Sequence, residues 1–171
     1  LEKRYINSSV KTIIEYSDHI YQVAKNMMHR LRPSVLDEFG LIKALQNMMD
    51  EWNDNQDEIF CDFSFSNIPD NLSESLKISL YRIIQESLTN TLKYSKASRI
   101  TVRAKKTEHN NIEKIDLEIY DDGIGLDIDD VKLGFGLLGM KERVEMHNGK
   151  FEFFSKPGNG FNIHILIPIE N

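Results

Sequence analysis

The chain has 171 residues, enough for one ordinary domain with an appendage and too few for two full-sized domains. Hydrophobic residues make up 40% and charged residues 28% of the sequence, as in folded globular proteins. The formal net charge of -6 gives the chain no overall basic field, which disfavours binding to nucleic acids and anionic membranes globally, although not locally. The single cysteine, Cys61, cannot form an internal disulfide, so we expect a reducing, cytoplasmic compartment.

Neither a membrane helix nor a secretion signal is visible in the sequence. No apolar run approaches the roughly 18 residues of a membrane helix, and the first residues lack the apolar core of a signal peptide. The sequence starts at Leu1 rather than at a methionine. We therefore expect a piece of a longer protein that makes no direct membrane contact itself.

Residues 4–31 contain neither glycine nor proline, and their apolar positions follow alternating spacings of four and three. This heptad pattern predicts a long helix that ends near Pro33 and belongs to the helical bundle of a homodimer. A helix that packs on the following domain is the alternative. We place the domain boundary between residues 33 and 34, which gives a dimerisation region over 1–33 and a second domain over 34–171. The heptad positions are Ile6, Val10, Ile13, Ser17, Ile20, Ala24, Met27 and Leu31.

The second domain alternates between helical and strand periodicity. Helices grouped on one face of a mostly antiparallel sheet make an α+β fold, here a two-layer α/β sandwich preceded by the long N-terminal helix. The predicted elements are a helix over 41–52, a strand over 59–66, a helix over 73–95 capped by Ser73, a hairpin of strands over 99–105 and 113–121, a helix over 137–147, and strands over 150–155 and 162–169.

Glycine is concentrated near the C-terminus, where eight of the nine glycines follow residue 122. They form DDGIG at 121–125, GFG at 134–136 and GNG at 158–160. Each motif taken singly is typical of a turn. Together, with GFG just before a predicted helix, they indicate a phosphate site made of exposed amides and a helix dipole. The P-loop and dinucleotide-binding motifs are absent from the sequence.

Three polar residues, Glu86, Asn90 and Lys93, lie on one face of the predicted helix 73–95. Their spacings of four and three place them within about 60° of one another. A solvated surface is one interpretation of this stripe. The other is a site for Mg2+ and a triphosphate, because carboxylate and amide oxygens suit a hydrated Mg2+ and an ammonium group suits phosphate.

Four motifs in order resemble the sensor histidine kinases of two-component systems. YRIIQESLTNTLKYSKAS is similar to their N box, DDGIGL to their first glycine box, and GFGLLGMKERVEMHNG to their second. LRPSVLDEFGLIKAL resembles the junction after the dimerisation helices in kinases whose partners are NarL-type response regulators. The resemblance covers roughly residues 20–169 and implies the Bergerat ATP-binding fold, also called the GHKL fold.

The resemblance implies a role for each matching residue. Asp121 would accept a hydrogen bond from the exocyclic amino group of adenine. Asn90 would bind Mg2+, and Glu86 would act in catalysis by ordering water near the metal. The other nucleotide-binding residues would be Lys93 at the phosphate oxygens, Tyr94 beside it, Gly123 and Gly125 beneath the base, Gly134 and Gly136 as hinges of a lid over residues 126–133, and Leu137 and Leu138, whose amides would meet phosphates.

The sequence departs from the family pattern at two positions. Tyr94 stands where a histidine often follows the basic residue, and Phe161 replaces the threonine that usually follows the last Gly-x-Gly. We expect these changes to alter nucleotide affinity. The family's phosphoacceptor histidine precedes an acidic residue on an earlier helix, and His19 instead follows Asp18. We therefore expect this chain to bind ATP without phosphorylating itself.

The resemblance implies the ATP-binding catalytic domain of a protein-histidine kinase. Such a domain transfers the γ-phosphoryl group of Mg·ATP to a histidine, for relay to an aspartate of a response regulator. Two alternatives remain open. A gyrase-like or MutL-like ATPase would hydrolyse ATP with Glu86 as the general base. A non-catalytic module would use the nucleotide to control the binding of another protein.

Overall fold

The computed structural model describes residues 34–56, 58–127 and 134–169. The predicted heptad helix over residues 4–31, and the dimer inferred from it, lie outside the described residues. The described residues all belong to the predicted second domain.

Helix α1 spans Ser34–Asn55 and is interrupted at Gly40. Gly40 has φ 73° and ψ 175°, and glycine adopts a positive φ at little cost because it has no Cβ. The helix predicted to begin at Leu41 is the part after this break. The sequence prediction placed no helix between Pro33 and Leu41, whereas residues 34–39 are helical as well.

Strand β1 spans Phe60–Ser66 and lies at one edge of the sheet. The end of α1 covers the start of this edge, because the Asn53 side chain exchanges two hydrogen bonds with the backbone of Cys61. Asn53 Nδ2 donates to Cys61 O at 2.9 Å, and Cys61 N donates to Asn53 Oδ1 at 2.7 Å. Cys61 is buried, and this burial, followed by the nearby charge of Asp62, raises the pKa of its thiol to about 12.

Helix α2 spans Glu74–Asn90 and begins as predicted, since Ser73 Oγ accepts a hydrogen bond from Leu76 N at 3.4 Å. The helix continues to Ser95, but Thr91–Ser95 form a π-helical segment. Residues beyond Asn90 therefore do not keep the α-helical spacing from which the polar stripe was predicted.

Strands β2, Arg99–His109, and β3, Ile112–Asp121, form the predicted hairpin. Both strands are longer than predicted, and the turn consists of Asn110 and Asn111, each with a positive φ. A two-residue hairpin turn of type I′ requires this conformation at both central residues, and asparagine tolerates it. Helix α3 spans Phe135–Glu145, and strands β4, Lys150–Ser155, and β5, Phe161–Pro168, complete the chain.

The sheet has five strands in the order β1-β2-β3-β5-β4. Strands β1 and β2 are parallel, and the other neighbouring pairs are antiparallel. One face of the sheet packs with the three helices into a single apolar core, so the predicted two-layer α+β sandwich is confirmed for the described residues. The largest fully buried side chains are Leu45, Met49, Ile83, Ile84, Ile100, Ile115, Leu117, Met140, Ile165, Ile167, Val102 and Val144.

Candidate functional site

The last residue of β3, Asp121, is a buried carboxylate that is only 6% exposed. It pairs with Ile100 of β2 and Phe161 of β5, so its side chain lies on the face of the sheet that the helices cover. Asp121 Oδ1 accepts a hydrogen bond from Gly123 N at 2.9 Å. Burial raises the pKa of this carboxyl, although hydrogen bonds from the backbone of Gly123 and Phe161 oppose the rise. A buried acceptor of this kind suits an uncharged donor such as an exocyclic amine.

The loop after Asp121 needs glycine because other backbone segments lie against it. A Cβ at Gly123 would overlap the carbonyl oxygen of Ser95, and Ile124 N donates to that same oxygen at 2.8 Å. Gly125 has φ 60°, and a Cβ there would overlap the carbonyl oxygen of Lys156. The loop thus fits between the π-helical segment and the β4–β5 turn. Sequence reasoning gave both glycines a role beneath a base, and these contacts are a further reason for glycine.

The next residue, Asp122, was assigned no role from the sequence. Its Oδ1 accepts hydrogen bonds from Ser98 N at 2.8 Å and Arg99 N at 2.9 Å, and its Oδ2 accepts one from Ser98 Oγ at 2.7 Å. Desolvation raises the pKa of Asp122, but these hydrogen bonds outweigh it and the net shift is downward. Asp122 therefore holds the start of β2 beside the loop that follows Asp121. The two consecutive aspartates at 121 and 122 are the sequence signal that could have pointed to this role.

On the helical side, Glu86 and Asn90 are half-buried residues of α2. Both lie against the first turn of α3, because a Cβ at Gly136 would overlap Glu86 Oε1 and would lie 3.3 Å from Asn90 Nδ2. Lys93 and Tyr94 belong to the π-helical segment and are exposed, Tyr94 by 67%. The structure therefore brings Glu86, Asn90 and Gly136 together, and it does not keep Lys93 on the regular helical stripe.

Helix α3 begins with Gly134 as its N-cap residue, and among the described residues no atom beyond its chain neighbours lies within 4 Å of a Cβ built there. Leu138 N donates to Gly134 O at 3.1 Å, which closes the first turn of the helix. The Leu138 amide therefore already has an acceptor. The Leu137 amide lies one residue before the first helical hydrogen bond, so it has no acceptor within the helix. Residues 128–133 of the predicted lid lie outside the described residues.

Few side chains of the described residues at this site could bind a metal ion. Within the described residues, no group of three or more His, Cys, Asp or Glu side chains could hold a metal ion. Glu86 and Asn90 nevertheless place a carboxylate and an amide next to the same glycine. Such a pair fits Mg2+, which usually keeps several waters and binds through one or two protein oxygens together with substrate phosphates.

None of the described helices is both long enough and apolar enough to cross a membrane.

Comparison with protein families finds a match over residues 75–171 to the model described as "Histidine kinase-, DNA gyrase B-, and HSP90-like ATPase". This range contains every predicted site residue. It begins just inside α2 and extends through β5.

Two named kinases are similar in sequence. The signal transduction histidine-protein kinase/phosphatase DegS of Brevibacillus brevis is 36% identical over 85% of this chain and 36% of the relative's length. The histidine-protein kinase/phosphatase UhpB of Salmonella typhimurium strain LT2 is 32% identical over 84% of this chain and 28% of its own length. The chain thus spans about a third of the length of these relatives.

Among solved structures, the histidine kinase domain of the blue-light activated kinase of Erythrobacter litoralis has a similar fold. The TM-score is 0.59 at 19% sequence identity, and the match covers 74% of this chain and 60% of the other. At this identity the likeness concerns the fold alone.

Proposed function

The chain belongs to the family of histidine kinase-, DNA gyrase B- and HSP90-like ATPases, and from this premise we propose that residues 34–171 bind Mg·ATP as the catalytic domain of a sensor histidine kinase. The observation that carries the proposal is the buried Asp121 carboxylate, which has a hydrogen bond from Gly123 and a glycine-rich loop directly after it. The similar proteins are named histidine kinases, which supports a kinase over a hydrolase of the gyrase type.

The base would be recognised by Asp121. Its carboxylate would accept a hydrogen bond from the exocyclic amine of adenine, whereas guanine presents a carbonyl oxygen at the same position and would leave two acceptors facing each other. The loop of Gly123 and Gly125 would lie beneath the base. Phe161 and Tyr94 are departures from the family pattern, and their effect on affinity stays a prediction.

The triphosphate would lie between α2 and the start of α3. Asn90 would bind the Mg2+, and Glu86 would hold water beside it, because both side chains already meet at Gly136. When bound, the ion would neutralise charge on the phosphates. Lys93 would contribute a cation from the exposed π-helical segment, the Leu137 amide would donate to a phosphate oxygen, and Gly134 and Gly136 would act as hinges of the lid.

In the whole protein, the imidazole nitrogen of a phosphoacceptor histidine would form a bond to the γ-phosphorus as the bond to the β–γ bridging oxygen breaks. ADP would leave and the imidazole proton would pass to solvent. The phosphoryl group would then move to an aspartate of a response regulator. Positioning and charge neutralisation suffice for such a loose transition state. A homodimer formed through residues 1–33 and a cytoplasmic location belong to the same proposal.

Calorimetry with Mg·ATP tests nucleotide binding. We expect Asp121→Asn to weaken binding by roughly 10- to 100-fold, because it replaces a charged acceptor by an amide that must leave one hydrogen bond unmade. Asn90→Ala should weaken Mg·ATP binding and leave binding of AMP without metal unchanged. Asp70→Asn, at an exposed position, is the matched control. Absence of any binding that Asp121→Asn reduces would refute the proposal.

Incubation with γ-labelled ATP separates the kinase domain from an ATP hydrolase. We expect the chain to stay unlabelled and to release little phosphate. Steady phosphate release that Glu86→Gln abolishes would instead identify a hydrolase.

A further inference from the structure

Ser155, the last residue of β4, is a polar side chain buried in an apolar part of the fold. It is 7% exposed and lies on the same face of β4 as Phe151 and Phe153, which pack against the core. A buried hydroxyl without hydrogen-bond partners would destabilise the fold. The hydrogen-bond partners of Ser155 therefore indicate which segments of the chain it connects.

The Ser155 hydroxyl joins two segments that are distant in sequence. Its Oγ accepts a hydrogen bond from Leu126 N at 2.8 Å and donates one to Gly160 O at 2.7 Å. Leu126 belongs to the loop after Asp121, and Gly160 ends the β4–β5 turn. A single oxygen thus uses its donor and an acceptor lone pair to connect the loop to the turn.

The backbone makes further hydrogen bonds between the same two segments. Gly160 N donates to Gly123 O at 2.9 Å, and Gly158 N donates to Ile124 O at 2.6 Å. A side chain at Gly160 is excluded as well, since its Cβ would overlap the carbonyl oxygen of Asp121. The β4–β5 turn is therefore the surface on which the loop of residues 123–126 rests.

We infer that Ser155 is a positioning residue for the nucleotide site. It fixes the loop of residues 123–126 on the β4–β5 turn, and Gly123 in that loop donates to the Asp121 carboxylate. Ser155 therefore acts on the base through Asp121 and does not touch the nucleotide. The inference rests on the proposed function, because it takes Asp121 to be the group that reads the base.

Replacement of Ser155 by alanine removes the Oγ and little volume, so it isolates the hydrogen bonds. We expect Ser155→Ala to raise the Kd for Mg·ATP and for AMP by the same factor, roughly 5- to 20-fold for two lost hydrogen bonds. Ser155→Thr, which keeps the hydroxyl, should bind within about 2-fold of the wild type. Ser64→Ala, at an exposed position of β1, is the matched control and should change nothing.

Hydrogen exchange of the Leu126 amide reports directly on its hydrogen bond to Ser155. In the nucleotide-free wild type, the Leu126 amide should exchange slowly, and in Ser155→Ala it should exchange at least about 10-fold faster because its acceptor is gone. Loss of general stability would accelerate amides of the core strands by a similar factor, whereas loss of positioning concentrates the change in the loop.

The outcomes separate the inference from the proposed function. If the wild type shows no binding that Asp121→Asn reduces, the proposed function fails and Ser155 has no site to position. If the wild type binds and Ser155→Ala binds equally well, the inference is wrong and the function stands. If Ser155→Ala does not fold, Ser155→Cys decides, since a thiol is a weak donor and acceptor: weakened binding supports the inference, and unchanged binding overturns it.

Discussion

The strand side and the helix side of the candidate site are held in different ways. On the strand side, hydrogen bonds join the loop of residues 121–126 to the β4–β5 turn and to Ser95. On the helix side, α2 meets the start of α3 through half-buried Glu86 and Asn90 against a glycine. Under the proposed function, the base would be an uncharged group that a preformed backbone can match, whereas Mg2+ and phosphates would bring their own oxygen ligands and need room.

Gly136, at the start of α3, gives the strongest test of this difference. A Cβ at Gly136 would overlap Glu86 Oε1, the far end of a flexible side chain, so Gly136→Ala should turn the Glu86 carboxylate away from Asn90 and weaken Mg·ATP binding by roughly 10-fold, about the loss of one hydrogen bond to a charged group. Affinity for AMP without metal should stay within about 2-fold, because the strand side is unchanged. Calorimetry with both nucleotides measures the two effects.

Glu142→Ala, at an exposed position of α3, is the matched control for that experiment and should leave the affinity for both nucleotides unchanged. Equal losses for AMP and Mg·ATP in Gly136→Ala, or an equal effect of Glu142→Ala, would contradict the separation of the two sides.

Asp122 tests how much the strand side depends on side-chain hydrogen bonds. We expect Asp122→Ala to lower the free energy of unfolding by about 1 kcal/mol at neutral pH, a modest figure for three hydrogen bonds because the carboxylate is exposed. Its folded pKa lies below the ordinary 3.8, so this stabilisation is present above pH 3.8 and is lost as the pH falls through the folded value. Urea unfolding at several pH values measures it.

A pH-independent difference between wild type and Asp122→Ala would show that the carboxylate charge is not involved. Asp70→Ala, at an exposed position, should show no difference at any of these pH values.

Replacement of Asp121 should change the free energy of unfolding in the opposite direction to replacement of Asp122. We expect this change to be the smallest of the effects predicted for Gly136, Asp122 and Asp121. The folded pKa of Asp121 is raised, so the folded state holds the proton more tightly than the unfolded chain, and the resulting stabilisation is full below pH 3.8 and lost as the pH rises through the folded pKa. The nucleotide-free Asp121→Asn variant should therefore be slightly more stable than the wild type at neutral pH. Thermal unfolding at neutral and acidic pH checks this, and lower stability of the variant at neutral pH would refute it.

The opposite signs of these adjacent carboxylates have a simple physical cause. Asp122 is at the surface and has a full set of donors, whereas Asp121 is buried with too few donors to compensate for the water it loses. A group that lowers stability in the nucleotide-free protein is expected where a ligand supplies the missing donor.

The sequence predicted the elements of this fold well because their signals are local. Alternation of apolar residues marked the strands of the hairpin, and Ser73 marked the start of α2. The resemblance to the N box and the glycine boxes gave the positions of Asp121, Asn90 and Gly136. Each of these signals is carried by neighbouring residues in the chain.

The departures arise where local patterns are insufficient. The stripe from Glu86 to Lys93 assumed a regular α-helix, and the π-helical segment after Asn90 changes the direction of Lys93. The Leu138 amide was predicted to meet a phosphate, and it instead closes the first turn of α3. Neither feature leaves a mark in the spacing of residues.

The sequence by itself determined which residue types stand at the site and on which elements, since periodicity, capping and turn preferences act over a few residues. Only the tertiary structure decided why those residues work together. The bond from Leu126 to Ser155 joins positions 29 apart, and the contact of Gly136 with Glu86 joins two helices. Such contacts depend on how the layers pack, because hydrogen bonds and steric fit between distant segments exist only after the chain has folded.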